Sequence, residues 1–273
     1  MIKRFLDLLF FFLLGILLNE TILAQDQTDQ EPQTVTETLE LFNGQDLSGW
    51  YPFLKGRQPG EDPNGVFSVQ DGLIRVSGEE FGCITTNNAF ENYRIILEFK
   101  WGEKTCLGRE LKARDSGLLI HSVGKDGAFG GSWKYSIECN IIEGGLGDFI
   151  VVGNQSDDYS ISANAAPEKV EGCFVWQKDG QPQTINAGRI NWFGRDPDWK
   201  DIKDFRGRND LDRPHGDWNK IELIAQNDKI DIYVNDILVN QCFNAKPSAG
   251  QIQIQSEGAE IFFRRITLLP LEN

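Results

Sequence analysis

The chain has 273 residues and is strongly acidic, with 41 Asp and Glu residues against 27 Lys and Arg residues and a net charge of −14. This balance argues against nucleic acid and anionic membranes as partners, because both are polyanions. It suits a neutral substrate or a cation, and solubility outside the cytoplasm explains it equally well. The five cysteines show no Cys-x-x-Cys spacing, so the sequence carries no zinc or redox motif of that kind.

The N-terminus has the pattern of an export signal. A basic start, MIKR, precedes the apolar run LLFFFLLGILL at residues 8–18, and the segment ETILA ends on Ala24. Because the run is too short to cross a bilayer comfortably, residues 1–24 are predicted to be a cleaved signal peptide. The mature protein is then periplasmic or secreted, without a membrane span. Residues 25–38 are polar and lack apolar periodicity, which predicts a disordered lead-in.

Residues 39–271 are predicted to form one domain built from strands. Apolar and polar residues alternate with period two, and no long stretch shows a helical stripe. The predicted strands include RIILEFKW (94–101), SGLLIHS (116–122), YSIECNII (135–142), NKIELIAQ (219–226), KIDIYVND (229–236), GQIQIQS (250–256) and AEIFFRRITLLPL (259–271). Many short strands joined by Gly and Asn turns predict an all-β antiparallel sandwich or jelly roll.

Residues 153–214 interrupt this pattern. They are rich in Gly, Asp, Asn and Pro, which predicts a long loop insertion rather than a second core. Long loops inside a compact domain are usually functional. Trp176 and Trp192 in this region are therefore candidates for stacking on a sugar ring, although filling a small core within the loop is at least as common.

Strand parity predicts one polar sheet face. In YSIECNII, Glu138 and Asn140 alternate with three apolar residues and so share a face. By the same parity His121 takes the polar side of its strand, Gln255 takes the polar side of another, and Glu257 continues that side if the strand stays regular. Acids, amides and a histidine together favour the floor of a polar cleft, and an ordinary exposed sheet face is the alternative.

Five sequence motifs follow one another along the chain. They are LFNGQDLSGW (41–50), RDSGLLIHSVG (114–124), SIECNIIEGGLGDF (136–149), HGDWNKIELIAQNDKIDIYVND (215–236) and GQIQIQSEGAEIFFRRITLLPL (250–271). Together they resemble the 3-keto-disaccharide hydrolase family, formerly a domain of unknown function, over roughly residues 39–271. The resemblance implies a concanavalin A-like lectin/glucanase jelly roll of two curved antiparallel sheets. One departure is Asn140, where the family more often has Gln.

The resemblance also implies cleavage of glycosides whose C3 hydroxyl a partner oxidoreductase has already oxidised. The ketone acidifies the C2 hydrogen, so such a site needs a base, a group that stabilises the enolate, and an acid for the leaving group. Glu138 is the first candidate base, and Glu143 follows its strand where a turn can aim it back. His121 is a candidate acid, base or metal ligand, with a hydrogen-bonded structural histidine as the alternative. Arg114 can hold the enolate or a sugar hydroxyl, with an ion pair to Asp115 or to a loop acid as the competing interpretation.

Substrate contacts and cofactors follow from the same residues. The candidates for substrate binding are Asn140, Gln255, Glu257, Trp176 and Trp192. A divalent cation such as calcium would find candidate ligands in Glu138, Glu143, His121 and Glu257, although no spacing is diagnostic of a metal. Two other functions stay open. The first is a non-catalytic carbohydrate-binding domain, and the second is a conventional glycosidase with two carboxylates about 5 Å or 6.5–9.5 Å apart.

Overall fold

The computed structural model describes residues 31–272, and none of these residues is helical. The described chain contains twenty strands, numbered here in chain order. They are β1 (Gln33–Thr34), β2 (Leu39–Glu40), β3 (Trp50–Leu54), β4 (Phe67–Gln70), β5 (Leu73–Val76), β6 (Gly82–Thr86), β7 (Phe90–Glu91), β8 (Tyr93–Thr105), β9 (Asp115–Val123), β10 (Tyr135–Ile142), β11 (Phe149–Val152), β12 (Ser160–Ala165), β13 (Phe174–Val175), β14 (Gln181–Ile185), β15 (Gly188–Asn191), β16 (Asn219–Gln226), β17 (Lys229–Val234), β18 (Ile237–Lys246), β19 (Gln251–Ser256) and β20 (Ala259–Leu269).

Two large sheets make up the sandwich. The eight-stranded sheet has the order β13-β15-β11-β10-β9-β19-β6-β3, and the ten-stranded sheet has the order β14-β12-β18-β17-β16-β8-β20-β5-β4, with β2 beside β20. Neighbouring strands in both sheets are antiparallel except β13 and β15. A separate parallel pair joins β1 to β7. The predicted all-β jelly-roll class is confirmed.

One continuous apolar core lies between the two sheets. Period-two alternation directs Ile137 and Ile141 of β10 into it from one sheet, and Ile221 and Leu223 of β16 from the other, all at most 1% exposed. Burying such a side chain contributes about 1.5–3 kcal/mol relative to leaving it exposed. Because the core fixes the inward face of the eight-stranded sheet, the polar residues that alternate with core residues in its regular strands take its outer face. These are Glu138 and Asn140 of β10 and Gln253 and Gln255 of β19.

The chain joins the fold earlier than the composition suggests. Within the predicted disordered lead-in, β1 pairs with β7, the Gln33 amide donates to the Ala89 carbonyl at 2.9 Å, and Val35 is buried. Backbone pairing does not require apolar periodicity, so the sequence pattern misses it. Residues 25–30 and the predicted signal peptide lie outside the described residues.

The predicted loop insertion is partly strand. Between residues 153 and 191 the chain adds β12 and β14 to one edge of the ten-stranded sheet and β13 and β15 to one edge of the other. These strands are short, β12, β14 and β15 are mostly polar, and Ile190 is one of the few large apolar residues that they bury. Residues 192–218 connect β15 to β16 and, in the described structure, form no strand.

Two further expectations concern membranes and thiols. Among residues 31–272 there is no helix of the length and apolarity needed to cross a bilayer. All five cysteines lie in the described part of the chain and each is unpaired.

Candidate functional site

The outer face of the eight-stranded sheet, called the site face below, carries the predicted polar residues. Cross-strand pairing places Glu138 opposite Leu119 and Asn140 opposite Gly117. Leu119 pairs in turn with Gln253 of β19, so Gln255 lies two residues further along on the same face. Glu138, Asn140 and Gln255 therefore share one face, as the alternation predicts, and each is at most 4% exposed.

Glu138 is a buried carboxyl held between two amides. Its Oε1 accepts a hydrogen bond from Asn140 Nδ2 at 2.8 Å, and its Oε2 lies 3.5 Å from Gln255 Nε2. Burial raises the pKa of Glu138 to about 8, and the charge of Asp115 adds to this, while the amide bonds and Arg189 oppose it. A carboxyl with this pKa exchanges a proton near neutral pH, which is what general acid–base chemistry requires.

Gly117 provides the space in which these groups meet. A Cβ added to this residue would lie 2.4 Å from Gln255 Oε1 and 2.6 Å from Glu138 Oε1. Both atoms are the ends of side chains that reach across β9 from its two neighbouring strands. The absence of a side chain at this position therefore allows Glu138 and Gln255 to approach each other.

Replacing this glycine tests the arrangement. Gly117→Ala is expected to fold, because the displaced atoms belong to side chains rather than to the backbone, and to lower turnover about 100-fold by moving Glu138. Thermal unfolding and steady-state kinetics measure the two effects. Gly124→Ala is the matched control, since nothing lies within 4 Å of its added Cβ; its positive φ gives a stability cost without an activity cost. Unchanged turnover of Gly117→Ala would contradict this account.

Asp115 is a site residue that the motif analysis does not single out. It shares the site face with Gly117, its Oδ1 accepts from Asn140 Nδ2 at 3.3 Å, and its Oδ2 pairs with Arg109 Nη2 at 2.9 Å. Burial raises the pKa of Asp115, and Arg109 opposes that rise. Strand alternation could have identified it, because Asp115 precedes Gly117 by two residues and therefore lies on the same face of β9.

Glu257, which directly follows β19, experiences the charges of this group. Burial raises its pKa well above the ordinary value, and the charges of Asp115 and Glu138 raise it further. Arg109 and Arg189 act in the opposite direction. Glu257 is therefore subject to the charges of two carboxyls and two arginines.

Arg189 is the second functional residue that the sequence does not reveal. Arg189 on β15 is the cross-strand partner of Ile150 on β11, and Ile150 is in turn the partner of Glu138 on β10. These three residues form one row across the sheet, called the Glu138 row below. Arg189 therefore lies two strands, or roughly 10 Å, from Glu138. Its Nη1 lies 3.1 Å from Asp148 Oδ2. Asp148 is fully buried, binds Arg195 at 3.2 Å and accepts from the Trp192 amide, so its carboxylate supports both arginines.

Arg114 and Glu143 form a structural ion pair instead of entering the site. Arg114 Nη1 lies 2.6 Å from Glu143 Oε1, and Glu143 Oε2 accepts from the backbone amides of Arg114 and Asp204. Arg114 Nε also donates to the Gly102 carbonyl at 3.1 Å. Because Arg114 immediately precedes Asp115, it takes the opposite direction, and the predicted catalytic placement of both residues is wrong.

His121 is the third catalytic candidate that the structure places elsewhere. The pairing of β9 shifts by one residue between Ile120 and Val123, and His121 has a φ of 53°, which marks a β-bulge. The bulge reverses the parity, so the imidazole packs edge-on against Tyr93 at a centroid distance of 6.0 Å, and its Nδ1 donates to the Pro247 carbonyl. Burial lowers the pKa of His121 to about 4.

The two tryptophans proposed for sugar stacking belong to the core. Trp176 is 7% and Trp192 is 2% exposed. Both pack against Phe193, at centroid distances of 6.4 Å and 5.2 Å. Since β13 and β15 are strands of the sandwich, these two side chains belong to the common core, which favours the packing interpretation over ring stacking.

The predicted cation ligands do not converge. His121 and Glu143 are directed away from Glu138 and Glu257, as described above. Among residues 31–272, no group of three or more His, Cys, Asp and Glu side chains has an arrangement suited to a metal ion.

Comparison with known proteins gives a family. Residues 37–269 match the sequence model of the 3-keto-alpha-glucoside-1,2-lyase-like domain. This match covers most of the chain and includes every residue of the site face. No curated protein matches the sequence.

Solved structures share the fold at low identity. A candidate glycosyl hydrolase from Parabacteroides distasonis superposes with a TM-score of 0.51 at 17% identity, covering 86% of this chain and 94% of its own. A second from the same organism gives a TM-score of 0.49 at 15% identity, covering 86% and 100%. The Bacillus licheniformis β-glucanase gives 0.43 at 10%, covering 87% and 100%. The first of these supports the sandwich fold alone.

Proposed function

Because the chain belongs to the family of 3-keto-alpha-glucoside-1,2-lyase-like domains, we propose that it cleaves the glycosidic bond of 3-keto-glycosides by elimination followed by hydration. The observation that carries the proposal is Glu138, a carboxyl with a pKa raised to about 8 between two amides on the site face. A base of this strength suits the removal of a proton next to a ketone.

The first step transfers the C2 proton of the sugar to the Glu138 carboxylate. The electron pair of the C2–H bond moves into the C3 carbonyl and forms an enolate. Arg189 is the nearest cation on the Glu138 row, and its positive charge lowers the pKa of Glu138. It is therefore the candidate for stabilising the enolate oxygen.

The second step expels the aglycone. The enolate electrons form a C1=C2 double bond while the bond from C1 to the glycosidic oxygen breaks, which gives the free aglycone and an unsaturated 3-keto sugar. Asp115 and Glu257, whose pKa values are raised by burial, are the candidates for protonating the leaving oxygen. Water then adds at C1 and a proton returns to C2.

A conventional glycosidase mechanism is the second candidate. The charges of Asp115 and Glu138 act on Glu257, so these three carboxyls are the candidates for the two acids that this mechanism needs about 5 Å or 6.5–9.5 Å apart. It acts on an unoxidised sugar, whereas the elimination cannot begin without the ketone.

Product release from a glucoside and from its 3-keto derivative, measured side by side, tests the proposal. We expect cleavage of the keto form alone. Cleavage of both would favour the two-carboxylate mechanism, and binding without cleavage of either would indicate a carbohydrate-binding domain. Repeating the assay with a chelator tests the predicted cation, since loss of activity would establish a metal requirement.

The proposed location and partner follow from the substrate. The signal sequence predicted at residues 1–24 directs the enzyme to the periplasm or the exterior. Since the enzyme needs a ketone at C3, a glycoside 3-oxidoreductase must act before it. The oxidoreductase acts in a separate, earlier reaction, so the partner that we propose for the site face is the carbohydrate substrate.

A further inference from the structure

The hydrogen bonds around Asn140 fix the direction of its amide. Its Nδ2 lies 2.8 Å from Glu138 Oε1, 3.3 Å from Asp115 Oδ1 and 3.4 Å from the Ser116 carbonyl oxygen. All three are acceptors, so the nitrogen must face them and the oxygen must face away. Asn140 Oδ1 is buried and has no hydrogen-bond partner.

Gln255 contacts the ionised form of Glu138 from the other side. Its Nε2 faces Glu138 Oε2 at 3.5 Å, and its Oε1 is buried without a partner above Gly117. Asn140 is 3% and Gln255 is 1% exposed. Buried amide oxygens are nearly always hydrogen-bonded in proteins, so two unpartnered ones beside the same carboxyl require a reason.

Gln253 shows that the sheet does not impose this feature. It occupies the same face of the same strand, two residues earlier, and is fully buried. Its Oε1 accepts from the Lys134 amide at 3.2 Å, and its Nε2 donates to Thr85 Oγ1 at 2.9 Å. Only the two amides that touch Glu138 keep a free acceptor among these three.

We propose that Asn140 Oδ1 and Gln255 Oε1 are two acceptors that bind a pair of hydroxyl groups on the sugar ring, one on each side of Glu138. The ligand class is a polyhydroxylated ring rather than an acid, because an acceptor pair requires hydrogen-bond donors and the neighbouring acids disfavour anions. The identity of one of these two hydroxyls rests on the proposed function. A base that removes the C2 proton lies beside the C2 hydroxyl, so that hydroxyl is one of the two.

Binding of non-reacting ligands to the wild-type protein tests the proposal. Methyl 1-thioglucoside, which has no ketone and an S-linked aglycone, is compared with its 2-deoxy, 4-deoxy and 6-deoxy analogues by titration calorimetry. We expect the 2-deoxy analogue and one other to bind roughly 5–150-fold more weakly, the penalty for leaving a buried acceptor unpaired. Equal affinity for all four ligands, or no binding of the parent compound, would overturn the proposal.

Variants then assign each hydroxyl to one amide. Each variant removes one amide oxygen, so the deoxy analogue that lacks the matching hydroxyl should no longer bind more weakly than the parent compound. Gln255→Met should abolish this difference for one of the two analogues, and Asn140→Leu should abolish it for the other. Gln253→Met is the matched control and should keep both penalties. If both penalties persist in all three variants, the assignment fails.

The two proposals can fail separately. If two deoxy analogues bind more weakly as expected but the 3-keto-glucoside is not cleaved, the acceptor pair is supported and the lyase reaction is rejected. Cleavage of the 3-keto-glucoside without the deoxy pattern would do the reverse.

Discussion

Glu138→Gln is expected to lower the turnover of a 3-keto-glucoside by about 10²–10⁴-fold, the usual contribution of a general base. Glutamine keeps the shape of the side chain and an oxygen for the bond from Asn140 Nδ2, but it cannot take a proton. The loss should therefore fall on kcat, with KM changed much less, because ring contacts remain. Steady-state kinetics on the keto substrate provides the measurement.

The pH dependence identifies the form of Glu138 that reacts. If the carboxylate removes the C2 proton, kcat/KM should rise about tenfold per pH unit below 8 and level off above it, following the pKa of about 8. The charged neighbours that modulate this value are Asp115, which raises it, and Arg189, which lowers it. A rate that falls above pH 8 would instead make Glu138 an acid that acts in its protonated form.

The same substitution should stabilise the protein at alkaline pH. Glu138 binds its proton more tightly when folded than when unfolded, because burial raises its pKa above the ordinary 4.5. Stability is therefore lost as the pH rises from about 4.5 through about 8, when the folded state must give up that proton. Glutamine does not titrate, so its Tm should exceed that of the wild type at pH 9 and match it at pH 5.

A glutamate on the other sheet provides the control for these experiments. Glu222 lies on β16, where its carboxylate pairs with Arg94 at 2.8 Å away from the site face. Glu222→Gln should leave turnover and its pH profile unchanged. If it reduced turnover as much as Glu138→Gln, the assignment of the base would be wrong.

The sequence predicts the centre of the site because strand alternation is a local property. Glu138, Asn140 and Gln255 lie in regular strands with apolar residues between them, and the core fixes which side they take. The same rule fails at His121, where one extra residue in β9 reverses the side-chain direction. A bulge leaves no clear mark in a single sequence, so parity cannot be trusted across it.

The rest of the site depends on contacts between distant segments. Arg189 reaches the Glu138 row because β15 adds to the sheet beyond β11, and its polar sequence gives no sign of that strand. Arg109 reaches Asp115 from the loop between β8 and β9. Such pairings are set by tertiary packing, whereas composition and period-two alternation report only the local chain.

Glu143→Ala is expected to destabilise the protein by about 3–5 kcal/mol, the cost of leaving a buried charge without its partner. Arg114 is nearly inaccessible to solvent, and without Glu143 its remaining carboxylate contact is Asp204, whose side chain is 63% exposed. The loop at residues 201–205 also loses its anchor, since the Asp204 amide donates to Glu143. Thermal unfolding should show a decrease in Tm on the order of 10 °C.

Glu171→Ala separates the buried pair from an ordinary ion pair. Glu171 contacts the equally buried Arg195 at 3.1 Å, but its own side chain is 43% exposed, and Arg195 retains Asp148. Its loss should cost about 0–1 kcal/mol. Because Glu143 contacts none of the groups that bind Glu138, its alanine variant should retain activity at temperatures where it is folded. A large loss of turnover with an unchanged Tm would instead return Glu143 to the catalytic group, as the sequence first suggested.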